Sequence, residues 1–380
     1  MTTGGGPDLA IPQHLLPGDG RFGCGPSKVP TEAVAALAKA APTLLGTSHR
    51  QAPVRQLVQS VRRGLAELLQ VPSGYEVILG TGGATAFWDI ATLCLIESHS
   101  QHLVFGEFSS KFAQAAEEAP YLVSPQIIES EPGTAPVPAP NPLVDAYCLT
   151  QNETSTGVAI PIRRPGEAEQ LVLVDATSAA GGMAIDISQT DAYYFSPQKC
   201  FASEGGLWLA VLSLAAIART EQLAATTRWV PASLDLLTAI SNSRQDQTYN
   251  TPALATLFLL SQQVQWLLAK GGLEWAESRC QASSGIIYEW AESRQFATPF
   301  VSDPSQRSPV VATIDLDPSI SAASVCALLR RHGIVDIDGY RKLGRNQVRV
   351  GLFPAIEPED VRQLTRCVDW VVANLPSGGD

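Results

Sequence analysis

The residue with the most chemistry in it is a lysine set directly after an apolar run and a fixed turn. Phe195-Ser196-Pro197-Gln198-Lys199 places Lys199 behind a proline that restricts the backbone, so its amine leaves a strand end. Alone it reads as a surface lysine, as most lysines are. Twenty-four residues upstream, Leu171-Val172-Leu173-Val174 runs into Asp175. A carboxylate at the tip of a buried strand is costly unless a cation meets it, and a protonated pyridine nitrogen is such a cation. The third piece, Thr81-Gly82-Gly83-Ala84-Thr85, opens a helix whose free N–H groups and positive dipole end suit one phosphate group. Schiff-base amine, pyridinium partner and phosphate cradle are the three handles of pyridoxal 5′-phosphate. Packing or a solvated charge explains each one singly; their joint order and spacing point to that cofactor.

The elements that must hold these residues alternate between helix and short apolar run from about Arg21 to Leu260, the pattern of an α/β sheet with crossover helices. Strands are expected at Tyr75–Leu79, Leu103–Phe105, Ala146–Leu149, Leu171–Val174 and Ala192–Phe195, with a helix from Gly83 through Ile96. In such sheets the ligand crevice lies outside the strand carboxyl ends, where Asp175 and Lys199 fall. Five prolines in Glu131–Pro142 make a surface connection. A helix from Pro252 to Lys270 stops at Gly271-Gly272, a domain boundary signal. Beyond it come strands at Val310–Ile314 and Val348–Leu352 and helices at Ala322–Arg331 and Pro358–Leu375. The last has one apolar face of Val361, Leu364, Val368, Val371 and Leu375. The expected fold is α/β, a large domain (21–270) with a mostly parallel mixed sheet plus a smaller C-terminal α+β domain (271–380), after a flexible leader (1–20).

Composition narrows the function. Lys plus Arg total 26 against 37 Asp plus Glu, and the net charge of −11 repels nucleic acid and anionic lipid. The seven cysteines show no CxxC spacing, which argues for a cytoplasmic chain and against a metal site. The N-terminus lacks the basic and apolar regions of a signal peptide, and the longest apolar stretch, Leu207–Ala218, is too short to span a membrane. Gly18-Asp19-Gly20-Arg21-Phe22-Gly23 matches a dinucleotide fingerprint, yet no strand precedes it and Gly25-Pro26 blocks the helix it needs. His99 and His102 read as solvated histidines at a helix end.

Seven motifs carry a resemblance: Phe22-Gly23-Cys24-Gly25-Pro26-Ser27, Thr47-Ser48-His49-Arg50, Gly82-Gly83-Ala84-Thr85, Asn152-Glu153-Thr154-Ser155-Thr156-Gly157, Val174-Asp175-Ala176-Thr177-Ser178, Ser196-Pro197-Gln198-Lys199 and Tyr249-Asn250-Thr251-Pro252. In this order the chain resembles the fold type I, class V pyridoxal-phosphate aminotransferases, and within them the phosphoserine branch. The likeness runs from Phe22 to Phe353.

The resemblance implies Lys199 as the Schiff-base lysine and Asp175 as the partner of the pyridine nitrogen. It puts Phe108 where the family usually has a ring-stacking tryptophan, Thr154 on the phenolic oxygen, and Ala84, Thr85 and Gln198 on the phosphate. Asn250 and Thr251 would reach the cofactor phosphate of the neighbouring subunit, which implies a homodimer with shared sites. His49 and Arg50 become substrate anion binders, Arg349 the carboxylate binder, and Arg345 or Lys342 the phosphate binder. The implied reaction moves an amino group between glutamate and 3-phosphohydroxypyruvate in serine biosynthesis, with a related step in pyridoxine biosynthesis. The nearest rivals are an alanine–glyoxylate or serine-type class V aminotransferase. A desulfurase is disfavoured, because Cys326 falls inside an expected helix. A non-catalytic dimer that only binds a phosphorylated metabolite is disfavoured by the intact Lys199 and Asp175.

Overall fold

Continuous apolar runs such as Leu171–Val174 suit strands covered on both faces, and every residue of that strand is buried. The computed structural model describes residues 9–375. In chain order the strands of the large sheet are β1 (Glu76–Thr81), β2 (Ser100–Val104), β3 (Gln126–Glu129) and β4 (Ala146–Thr150). A small hairpin of β5 (Asn152–Glu153) and β6 (Val158–Ala159) follows, then β7 (Leu171–Asp175), β8 (Ala192–Phe195) and β9 (Leu207–Leu212). The seven-stranded order is β1-β9-β8-β7-β4-β2-β3, and β9 alone runs against the others. The register sets Thr150 of β4, Asp175 of β7 and Tyr194 of β8 level with one another. One end of the sheet therefore collects the carboxyl ends of the six strands other than β9.

Helices cover both faces: α1 (Thr31–Leu44), α2 (Ala52–Leu68), α3 (Ala84–Cys94), α4 (Glu107–Glu117), α5 (Leu214–Ala224), α6 (Leu236–Arg244) and α7 (Leu254–Lys270). The strand period of two sends Val172 and Val174 to the face packed by Val58, Leu65, Leu260 and Val264 of α2 and α7. It sends Leu171 and Leu173 to the face packed by Phe87, Phe112 and Ile217 of α3, α4 and α5. No helix among the described residues is long and apolar enough to cross a membrane.

A second sheet, β10 (Ala297–Pro299), β11 (Val311–Leu316) and β12 (Gln347–Gly351), is antiparallel throughout. It packs with α8 (Gly272–Glu292), α9 (Ala322–Arg331) and α10 (Pro358–Asn374), whose Val361, Leu364, Val368 and Val371 enter its core as the spacing predicts. Gly271, at φ 119°, caps α7 in the left-handed region and turns the chain straight into α8. Helix α8 then serves both sheets: Ala276 near its start lies in the core of the large one, and Ile287, Trp290 and Ala291 near its end lie in that of the small one.

Two expectations are corrected. Residues 1–8 of the expected leader lie outside the described residues, but residues 9–20 are anchored: Ile11 is buried in the core of the small sheet, and Asp360 of α10 accepts the Gly18 and Asp19 N–H groups. Phe22, fully buried, joins that same core, and Arg21 bridges to Val335. A segment rich in Pro and Gly reads as loose because it has no periodicity, yet isolated apolar anchors hold it. His102 is likewise no solvated histidine: it sits in β2, buried, sharing a hydrogen bond with Ser100 Oγ at 3.0 Å. Burial holds its ring neutral down to a pKa of about 3. Because Phe22 fixes the segment that passes over the strand ends, Phe22→Ala should cost roughly 3–5 kcal/mol of stability, measured as a lower urea midpoint.

Candidate active site

Parallel neighbours β7 and β8 deliver the two charged residues. Asp175 is the last residue of β7, and Lys199 follows β8 through the Ser196-Pro197-Gln198 turn. Both are buried, Lys199 at 8% exposure and Asp175 at 4%. The Lys199 ammonium donates to the Cys24 carbonyl at 2.7 Å, and no carboxylate forms a salt bridge with it among the described residues. Burial pulls its pKa from the usual lysine range to about 8, with Arg349 adding to the fall and Cys24 and Asp175 opposing it. Asp175 Oδ1 accepts from the Thr177 N–H at 2.9 Å and Oγ1 at 2.6 Å, and Oδ2 accepts from Trp88 Nε1 at 2.8 Å. Burial raises its pKa, while these three donors and Lys199 hold it down.

The two face a cavity of about 490 Å³ whose lining also includes Gly83, Ala84, Thr85, Trp88, Phe108, Asn152, Thr154, Gln198 and Gly205. At its far end α3 starts behind Gly83 with no side chain capping it, so the helix offers free N–H groups and its positive dipole end. In the lining, Gln198 Oε1 and Asn152 Oδ1 are buried without a partner among the described residues. A Cβ added to Gly83 would meet nothing nearer than Ser196 Oγ at 3.9 Å. The residues present fit a phosphorylated pyridine with an aldehyde: the open helix end could hold the phosphate, Asp175 could meet the ring nitrogen and Lys199 the aldehyde.

The walls are held from outside. Glu153, fully buried, accepts from the Phe108 and Ser109 N–H groups at 3.1 and 2.8 Å, which fixes the start of α4. Lys199 Nζ then lies 5.8 Å from the centre of the Phe108 ring. Thr154 Oγ1 donates to Ser178 Oγ at 2.8 Å. Arg349 of β12 donates from Nη1 to the Thr154 carbonyl at 3.0 Å, and its Nε is buried without a partner.

The other expected residues lie elsewhere. Arg345 is paired with Asp315 through Nη2 at 2.5 Å, in a separate groove lined by Phe296, Asp317 and Asn346. Lys342 reaches Glu107 Oε1 at 2.5 Å beside the adjoining groove. His49 and Thr251 meet at 3.2 Å, and Arg50 Nη1 donates to Gln247 at 3.1 Å; with Asn250 they stand outside the Lys199 cavity of their own chain. Sequence reasoning missed Trp88, Glu204 and Tyr340, and it gave no role to the Cys24-Gly25-Pro26 part of the first motif. The Gly25-Pro26 pair was its signal in the sequence, and the structure gives the reason: at φ 140°, with an added Cβ 2.3 Å from Lys199 Nζ, the position suits glycine.

A neutral amine is the form of Lys199 that attacks an aldehyde. Its population rises with pH through about 8 instead of through the ordinary lysine value near 10.5. The rate at which cofactor-free protein captures pyridoxal phosphate, followed by visible absorbance, should therefore climb with a midpoint near pH 8; a midpoint above 10 would show a solvated amine.

Comparison with known proteins agrees with this geometry. Residues 139–364 match the family model described as Aminotransferase class-V. A putative phosphoserine aminotransferase of Mycobacterium leprae is 58% identical over 370 residues, 97% of this chain and 98% of that protein. The phosphoserine aminotransferase of a Nocardioides species is 57% identical over 370 residues, 97% and 99% of the two chains. Among solved structures, a phosphoserine aminotransferase from Cytophaga hutchinsonii shares the fold with a TM-score of 0.84 at 24% identity, covering 94% of this chain and all of that one. The one from Bacillus circulans gives 0.79 at 20%, covering 92% and 97%. The fold is thus that of the fold type I aminotransferases, and the chain belongs to the class V aminotransferases, in the phosphoserine aminotransferase family.

Proposed function

We propose that this protein transfers the amino group of L-glutamate to 3-phosphohydroxypyruvate, yielding 2-oxoglutarate and O-phospho-L-serine, with pyridoxal 5′-phosphate as cofactor. The observation that carries the reading is the pair of buried opposite charges, Lys199 and Asp175, at neighbouring strand ends of one cavity that also holds an open helix N-terminus. Bound there, pyridoxal phosphate supplies an aldehyde that takes up amines and a ring that accepts an electron pair.

The chain's own residues do the rest. Lys199 would hold the cofactor through its Nζ, and with that amine free it would move the substrate Cα proton as general base and then acid. Asp175, whose ionised form Thr177 and Trp88 favour against its burial, would hold the proton on the ring nitrogen. The N–H groups of Ala84 and Thr85 and the amide of Gln198 would bind the phosphate, Phe108 would cover the ring and exclude water, and Thr154, its hydroxyl turned from Ser178, would orient the phenolic oxygen. Arg349 grips the carboxylate common to both substrates. His49 and Arg50 bind the phosphate or the distal glutamate carboxylate, with Lys342 or Arg345, either of which must first exchange its present carboxylate partner. Exposed and outside their own cavity, Asn250 and Thr251 fit service to the site of a second subunit, so the active form is a homodimer. The protein works in the cytoplasm, in serine biosynthesis, and acts in pyridoxine biosynthesis on a phosphorylated hydroxythreonine.

A substrate panel tests the reading: with glutamate as donor, 3-phosphohydroxypyruvate should be preferred over pyruvate and glyoxylate. Arg349→Ala should weaken every substrate, and Arg50→Ala should weaken the phosphorylated one more than pyruvate, by about ten- to a hundred-fold in kcat/KM, the value of roughly 1.5–3 kcal/mol for a charged hydrogen bond. Equal use of pyruvate and the phosphorylated acid would favour a less specific class V transaminase. For the dimer, Lys199→Ala mixed with an Asn250→Ala/Thr251→Ala double variant should regain activity that neither has alone, since one site of each mixed dimer is then complete. No regain would remove those two residues from the neighbouring site.

A further inference from the structure

Arg349 differs from the arginines around it. Arg345 is paired with Asp315, and Arg330 with Asp336 and Asp338, whereas no carboxylate forms a salt bridge with Arg349 among the described residues. A half-buried guanidinium without a counter-charge must be stabilised otherwise. Its one hydrogen bond runs from Nη1 to the Thr154 carbonyl at 3.0 Å, and its Nε is buried and unpartnered. Its face is covered: Arg349 Cζ lies 5.1 Å from the centre of the Tyr340 ring. Stacking on an aromatic face stabilises the cation and consumes none of its five in-plane donors.

Tyr340 is itself held on two sides. Its ring lies 6.1 Å from that of Phe108, tilted by 60°. Two residues further on, Lys342 is bonded to Glu107, the residue before Phe108, so the loop of Tyr340 is tied to the start of α4. The tyrosine hydroxyl is within the electrostatic reach of Glu107, Lys111 and Lys342, and least strongly of Arg349.

We propose that Tyr340 is a positioning residue for Arg349: its ring is the plate that fixes the plane of the guanidinium, so that the free donor edge faces an incoming substrate carboxylate beside Phe108. This rests on the reading of Arg349 as the carboxylate binder. The ring carries the role and the hydroxyl does not, so phenylalanine serves and an aliphatic side chain of similar bulk fails.

The test compares Tyr340→Phe, Tyr340→Leu and Arg349→Ala in the holoenzyme. Tyr340→Leu should raise KM for glutamate and for 3-phosphohydroxypyruvate by a similar factor, roughly three- to thirtyfold for a lost desolvated cation–π contact, with the change falling on KM and not on kcat. The dissociation constant of glutarate, a dicarboxylate that cannot react, should rise by the same factor. Tyr340→Phe should restore both values. If Arg349→Ala weakens glutarate and Tyr340→Leu does not, the plate is wrong while the carboxylate reading stands. If Arg349→Ala leaves glutarate binding unchanged, the carboxylate reading falls and takes the proposal with it. Loss in Tyr340→Phe equal to that in Tyr340→Leu would assign the role to the hydroxyl, and a shifted cofactor absorption band in Tyr340→Leu would place the effect on Phe108; either overturns the proposal.

Discussion

Two opposite charges taken out of water at the ends of adjacent strands set the terms for the rest of this molecule. A buried carboxylate or ammonium costs several kcal/mol unless its hydrogen-bonding capacity is met. Asp175 meets the cost with Thr177 from its own chain end and Trp88 from α3. Lys199 meets it only in part, with one backbone carbonyl. The difference is functional: three donors fix the acid in place and favour its accepting form against its burial, while the amine is left poised to lose its proton and react. A surface lysine could not do this, because solvation would return it to the ordinary range.

That unequal satisfaction makes sense of the small sheet and the first described residues. The carbonyl that holds Lys199 belongs to Cys24, in a segment anchored by Phe22 in the small core and by the Gly351 N–H donating to the Phe22 carbonyl. Arg349 leaves the neighbouring β12 and reaches the Thr154 carbonyl on the large-sheet side. The small unit therefore anchors the segment over the amine and supplies a cation bonded to Thr154 of the cavity wall. Helix α8, with residues in both cores, keeps the two sheets in one register.

Much of this was legible in the sequence because a parallel sheet writes its strands as uninterrupted apolar runs, and polar residues at their ends fall where ligands bind. Asp175 and Lys199 could be named for that reason, as could the Gly-rich entry to α3. The strand β9 was hidden because Leu207–Leu212 runs into the apolar start of α5 with only Ser213 between them. The anchoring of residues 9–20 was hidden because it depends on Asp360 and on a core assembled from the far end of the chain. The positions of Lys342 and Arg345 were illegible for the same physical reason: each is directed by a counter-charge, Glu107 or Asp315, which the fold alone brings near. Trp88 reads as a core residue of α3, and only its indole nitrogen, aimed at Asp175, makes it part of the site.

The most direct measurement of the central claim is to reduce the holoenzyme with borohydride, digest it and map the cofactor by mass spectrometry. The buried pair predicts the added mass on the peptide carrying Lys199 and on no other lysine, with Lys199→Ala carrying none. Cofactor trapped on a different lysine, or undiminished labelling of Lys199→Ala, would contradict it.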